Sequence, residues 1–237
     1  MWVLVGSFFV ILLGLILVHA KVNGGFKIET SWVAIALSPA VLSLLATGQL
    51  AEFSGYGLAF KLREASAKTV SLKVDGSKIE PVSLAIDEKR GVENIPELIR
   101  KRVAALRLQV GRRNYYAPSA IGQYLEELTK YDFFRYVIFV GGDEKFRGLV
   151  PAKTLLEQMR RGGFDIVRVI EEGSLNLVDG LVSAAVPSSS NKRDALKRMD
   201  ELNLAELPVV DEAGRFLGII ERDKVTSSIV LDLVARP

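Results

Sequence analysis

The second half of this chain repeats itself. The run YVIFVGGDEKFRGLV at 136–150 lies without a gap over ELPVVDEAGRFLGII at 206–220, setting Phe146 on Phe216 and Gly148 on Gly218, 70 positions apart. Such a period marks a duplicated unit, and each copy reads in the same order: helix, short apolar strand, polar turn, second apolar strand starting near the glycine, second helix. In the first copy the leading helix covers residues 121–130 with Tyr124, Leu125 and Leu128 inward; in the second it covers 194–202 with Leu196 and Met199 on one face. Gly141-Gly142-Asp143 and Asp211-Glu212-Ala213-Gly214 supply turn residues between the strands. One copy alone has a small sheet with an apolar face left to bury, and pairing supplies the cover. The expectation is two halves related by an approximate two-fold axis, with Phe146 and Phe216 in equivalent places.

The run DALKRMDELNLAELPVVDEAGRFLGII at 194–220 closely resembles the core of a CBS domain, in which a helix leads to a Leu-Pro-Val-Val-Asp strand, a glycine turn and a Gly-Ile-Ile strand. The first copy is looser: Phe139, Val140 and 146–150 fit, but the Pro-Val signature is absent. Together the copies resemble a CBS pair, or Bateman module, over residues 114–237, with the copies at about 114–161 and 181–237. The resemblance implies an α/β fold, a duplicated βαββα module, and a regulatory or ligand-sensing role without catalysis. Nucleotide-binding members continue their second strand as Gly-hydrophobic-hydrophobic-Ser/Thr-x-x-Asp, where a hydroxyl meets phosphate and a carboxylate accepts from ribose hydroxyls. Here Gly218-Ile219-Ile220 runs on to Glu221, Arg222, Asp223 and Lys224, and Gly148-Leu149-Val150 to Pro151, Ala152, Lys153 and Thr154, so neither copy keeps the pattern. The candidate ligand residues are therefore Pro151, Thr154, Glu221, Asp223 and Lys224, at two Gly-led strands that run into helix starts. Lys224 favours an anionic ligand, with an adenine nucleotide as the candidate. The rival reading is a ligand-free scaffold that dimerises through the module, since resembled modules assemble as pairs of pairs and a two-fold dimer is the commonest oligomer.

Two charge-free runs precede all of this. Residues 1–20 and 30–51 carry no Asp, Glu, Lys or Arg, and about 20 apolar residues cross a hydrocarbon core. They are expected to form a transmembrane helical hairpin at about 2–19 and 31–50, domain 1–50, with Pro39 as a kink. Two other readings stand beside it: a pair of buried core helices, and a signal peptide cleaved after Ala20. A hairpin returns the C-terminal part to the side of the N-terminus. A cleaved signal followed by a stop-transfer run also leaves that part in the cytoplasm, and Lys61, Arg63 and Lys68 tilt the positive-inside balance slightly the same way.

Residues 51–113 read as a connecting region. Val70, Leu72 and Val74 alternate, Asp75-Gly76 offers a turn, and Val82, Leu84 and Ile86 alternate again after Pro81, which predicts a β-hairpin. Asn94 as N-cap, Pro96 in the first turn and the spacing of Ile95, Ile99, Val103, Leu106 and Val110 predict an amphipathic helix of about five turns. Its other faces carry Arg100, Lys101, Arg102 and Arg107, with Arg112 and Arg113 beyond. Two readings fit: a face lying on anionic lipid headgroups, or a solvated face.

The sole histidine, His19, sits in the first apolar run, so no Ser-His-Asp or His-based metal site is expected. The 237 residues contain no cysteine, which removes thiol chemistry, and a net charge of +3 argues for no nucleic acid. The partners implied are membrane lipid, a second copy of the chain and a membrane-protein client. A reporter fused after Pro237 should be active only in the cytoplasm, and activity on the far side of the membrane would overturn this topology.

Overall fold

The computed structural model describes residues 58–84 and 92–234; the two apolar runs and Ile86 lie outside them. In chain order come α1 (Leu58–Ala67), β1 (Gly76–Lys78), β2 (Val82–Ser83), α2 (Ile95–Arg100), β3 (Ala105–Gln109), α3 (Pro118–Leu128), β4 (Tyr136–Val140), β5 (Phe146–Pro151), α4 (Ala152–Arg160) and α5 (Ile166–Glu172). Then follow β6 (Val186–Pro187), α6 (Lys192–Glu201), β7 (Glu206–Val210), β8 (Phe216–Glu221) and α7 (Arg222–Val234). Among the described residues no helix is long and apolar enough to cross a membrane. These residues form two compact units. The first holds 71–189 and 206–220, with both sheets and α2 to α5; the second holds 58–70, 190–205 and 221–234, with α1, α6 and α7.

In the first unit one sheet has the order β2-β3-β4-β5 and the other β1-β8-β7-β6. Strands β3 and β4 are parallel and joined through α3; β6 and β7 are parallel, with α6 between them in the chain. That connection is the one parallel neighbours require. All five residues of β4, Tyr-Val-Ile-Phe-Val, are buried, as expected of a strand covered on both faces. Val137 and Phe139 join Leu106, Leu108 and Val150 in a core with Ile121, Leu125, Leu155 and Ile170 from the helices. Tyr136, Ile138 and Val140 point the other way and join Ala105, Leu149 and, from the second sheet, Ile219. Each Val, Leu, Ile or Phe among them contributes about 1.5–3 kcal/mol when fully buried, more than a surface ion pair.

The duplication holds in detail. Phe146 and Phe216 stack on each other, ring centroids 5.8 Å apart and planes 24° from parallel. The Gly141 N–H donates to the Lys145 carbonyl at 2.8 Å and the Asp211 N–H to the Arg215 carbonyl at 2.9 Å, closing the two turns alike. Glu144 (φ 62°) and Gly214 (φ 80°) occupy the same left-handed position, where glycine is at ease and Glu is strained. A third pair of equivalents, Tyr136 and Glu206, also meet: the Tyr136 hydroxyl donates to the Glu206 carboxylate, which Arg135 also grips.

Two expectations for residues 51–113 are corrected. Among the described residues no hairpin joins 70–74 to 82–84. Residues 71–75 form a turn in which the Ser71 carbonyl accepts from Asp75 N–H at 2.7 Å and the buried Asp75 carboxylate accepts from Ser71 N–H at 2.7 Å. The strands then part, β1 pairing antiparallel with β8 and β2 parallel with β3. Gly76 is thus no turn glycine; a Cβ there would fall 1.9 Å from the Ile219 carbonyl oxygen. The five-turn helix is also shorter, ending at Arg100. Arg102 takes φ 52°, its N–H donating to the Ile99 carbonyl at 3.0 Å and Val103 N–H to that of Leu98 at 3.1 Å. This is the closure a glycine normally makes, and Leu106 and Leu108 beyond it belong to strand β3, so the first copy's sheet begins before residue 114.

Exchanging the unlike pair tests the copy-to-copy contact. Tyr136→Glu places two carboxylates together and should cost roughly 1–3 kcal/mol in urea unfolding, while Tyr136→Glu/Glu206→Tyr should recover about half or more of it. Equal losses in both variants would show the contact to be idle. The Lys145 N–H holds the Asp143 carboxyl below its usual range, and the Arg215 N–H does the same for Asp211. The stabilisation from a lowered carboxylate is complete above the unfolded value, about 3.9, and is lost as pH falls through the folded one. Both should therefore titrate below about 3.9 by NMR, and midpoints above it would contradict the two turns.

Candidate functional site

Each copy ends its second strand at a junction with a helix, and the two junctions are built alike. The Ala152 N–H donates to the Arg135 carbonyl at 2.8 Å, and the Arg222 N–H to the Ala205 carbonyl at 2.8 Å. The chain therefore leaves β5 and β8 in the same way, presenting the first turns of α4 and α7.

At the first junction Pro151 closes β5 opposite Tyr136 and is the exposed residue before α4. Proline brings no N–H, so it leaves none unsatisfied here. Thr154 follows in the first turn of α4, half-buried, and a Cβ at Gly180 would lie 3.5 Å from its methyl group. This turn holds no acidic residue.

At the second junction Glu221 closes β8, and Asp223 and Lys224 stand exposed in the first turn of α7. The structure brings Glu221 and Lys224 together: the Lys224 ammonium donates to Glu221 Oε1 at 2.7 Å, with the side chains 43% and 24% exposed. Arg222, which the sequence reading passed over, turns back on its own unit, donating to the Leu204 carbonyl at 3.0 Å with its other nitrogen 3.7 Å from Asp200. Its place between two candidates was the available signal. Pro151 and Thr154 belong to the unit of the sheets, and Glu221, Asp223 and Lys224 to the unit of α1, α6 and α7.

Chemically, an acidic residue in a helix's first turn complements its dipole, and Asp223 does so in α7. Backbone N–H groups, a threonine hydroxyl and a lysine ammonium suit a phosphate or carboxylate ligand. Among the described residues no group of three or more His, Asp or Glu side chains could hold a metal ion. The tyrosines at 116 and 124 are pushed up by burial; the Tyr116 hydroxyl oxygen accepts from Gln109 N–H at 2.6 Å in the first copy's core. These are packing residues of the sheet unit.

The described residues thus form a mixed α/β, CBS-like fold with a tandem repeat. The family model of the CBS domain matches residues 181–231, a span that includes β6 to β8 and most of α7. No curated protein matches the chain. Solved structures similar to it include a CBS domain pair/ACT domain protein from Thermotoga maritima, 20% identical over 52% of this chain and 87% of that one, with TM-score 0.32. The CBS domain of a CBS domain containing membrane protein from Sphaerobacter thermophilus is 10% identical over 71% and 91%, with TM-score 0.37. CBSX2 in complex with AMP is 16% identical over 67% and 91%, with TM-score 0.33.

Proposed function

We propose that this chain is a membrane-anchored regulatory or sensory protein. Its CBS pair responds to a small anionic ligand, an adenine nucleotide foremost, or to a partner protein. The observation that carries the reading is the pair of equivalent junctions at Pro151–Ala152 and Glu221–Arg222, each held by the same backbone hydrogen bond. By resemblance to nucleotide-binding CBS domains, the positions of Pro151, Thr154, Glu221 and Lys224 are those that carry the ligand groups, although this chain keeps neither the hydroxyl nor the acid of that pattern there. In this reading the residues there bind and position a ligand. Residues 1–50 tether the module to a membrane, the C-terminal part faces the cytoplasm, and the client is a protein of the same membrane. Coupling requires that the ligand favour one of two arrangements of the module.

The closed Lys224–Glu221 pair favours a second reading, in which the junction at α7 carries no ligand and the module serves as a homodimeric scaffold.

Calorimetry on the full chain in detergent micelles, with ATP, ADP, AMP and cyclic dinucleotides, separates the two. The sensory reading expects heat from at least one of them, affinity that weakens as salt screens the contact, and a further loss of about three- to tenfold in Lys224→Ala. Silence from the whole panel would leave the scaffold. Binding untouched by Lys224→Ala would place the site elsewhere.

A further inference from the structure

In the unit of α1, α6 and α7 the segment that follows the apolar runs is bound to the second copy's helices. After α1 the chain runs antiparallel to the entry of α6: Val70 N–H donates to the Ser190 carbonyl at 2.9 Å, Lys192 N–H to that of Lys68 at 2.9 Å, and Thr69 bridges Asn191. Arg193 of α6 donates to the Ser66 hydroxyl at 2.8 Å and to the Arg63 carbonyl at 3.4 Å. Leu62, Ala65 and Ser66 are buried. The chain just after α1 is thus fastened to the entry of α6 by the backbone, and α1 itself by the Arg193 side chain.

Helix α1 also packs directly along α7, and one carboxylate ties the two by charge. Asp232 accepts from the Lys68 ammonium at 2.5 Å and from the Lys192 ammonium at 3.2 Å. Lys192 is only 5% exposed, so this is no ordinary surface pair, and removing one partner of such a cluster costs more than removing an exposed one. Burial acts to raise the Asp232 carboxyl, but the hydrogen bonds and charges of the two lysines outweigh it and hold the group below its usual range. Lys68 therefore sits where three elements are joined: α1 by the chain, α6 by its carbonyl, α7 by its ammonium.

Helix α7 begins at Arg222, directly after the strand that carries Glu221, and Asp232 lies in its last turn, about 15 Å along the axis at 1.5 Å per residue. A helix transmits displacement along its axis with little loss, so a shift at its first turn reaches Asp232. We infer that residues 58–70 are the output arm of the second copy, and that the Lys68–Asp232–Lys192 clasp passes movement of α7 to α1 and so to the N-terminal segment. The inference takes its regulatory meaning from the reading above, but its test uses no ligand, so silence in calorimetry leaves it standing.

The test is hydrogen–deuterium exchange on the full chain in detergent micelles. Val225 lies in the first part of α7 and is fully buried, so Val225→Ala loosens the helix far from the clasp. Exchange in 58–70 should rise about fivefold in Val225→Ala. In the Lys68→Met background, where the ammonium is gone, adding Val225→Ala should bring no further rise. The same increment in both backgrounds would mean that apolar packing, not the clasp, carries the movement, and no increment in either would remove the output arm altogether. Asp232→Asn gives a second route: exchange in 58–70 should rise about tenfold while 136–151 keeps its protection, and unchanged exchange in 58–70 would overturn the inference.

Discussion

The sheet of β3, β4 and β5 is apolar on both sides, while α3 to α5 cover only one of them. The uncovered face carries Ala105, Tyr136, Ile138, Val140 and Leu149. Left open, these side chains would forfeit several kcal/mol at about 25 cal/mol per Å² of apolar surface. The second sheet is the remedy, bringing Ile219 and Phe216 onto that face. That burial makes the repeat obligatory: one copy is an unfinished core, and two close each other.

Where the strands of the two copies meet, equivalent residues face each other. An apolar residue tolerates its own kind, and Phe146 lies on Phe216 without penalty. A charged residue does not, because two carboxylates in hydrogen-bond range repel. The meeting of Tyr136 with Glu206, reinforced by Arg135, is therefore a contact only unlike copies make. The glycines inside the second strands are kept in both copies, while their neighbours have diverged. A Cβ on Gly148 would lie 2.7 Å from the Leu181 side chain, and one on Gly218 would lie 2.3 Å from the Ser77 carbonyl oxygen. Leu149 bridges Val182, and β8 pairs with β1. The same residue type is kept because a neighbour crosses closely in each case, although the neighbours come from different parts of the chain.

The parts of this arrangement visible in the sequence are those set by local pattern. The 70-residue offset, the turns at Gly141 and Asp211 and the buried run of β4 all rest on period and turn chemistry, and the Leu-Pro-Val-Val-Asp strand carried the CBS resemblance that residues 181–231 bear out. What failed was pairing at a distance. Residues 70–86 alternate like a hairpin, yet nothing local says that β1 will find β8 or β2 find β3. The helix after Asn94 was overdrawn because Ile95, Ile99 and Val103 keep helical spacing while no glycine announces the stop; Arg102 makes the left-handed turn instead. The period-two signal of Leu106 and Leu108 was present and was overlaid by the longer pattern. At the candidate site, departure from the nucleotide-binding pattern was legible, but the junction hydrogen bonds and the partner of Arg222 were not, since each joins residues 17 or 18 apart.

The Lys224–Glu221 pair bears on function through its strength. An ion pair between partly exposed side chains is worth about 0.2–1 kcal/mol, because water and salt screen it and two side chains lose freedom in forming it. In the proposed sensory reading, opening so weak a pair leaves Lys224 open to a phosphate ligand. The same glutamate sets a condition on what can enter: its carboxylate must be satisfied or turned away when Lys224 leaves it, and an anion lying beside it meets repulsion. A ligand that offers a hydrogen-bond donor to Glu221 and negative charge to Lys224 meets both demands. A nucleotide, with ribose hydroxyls at one end and phosphate at the other, has that combination; a bare anion has only half of it.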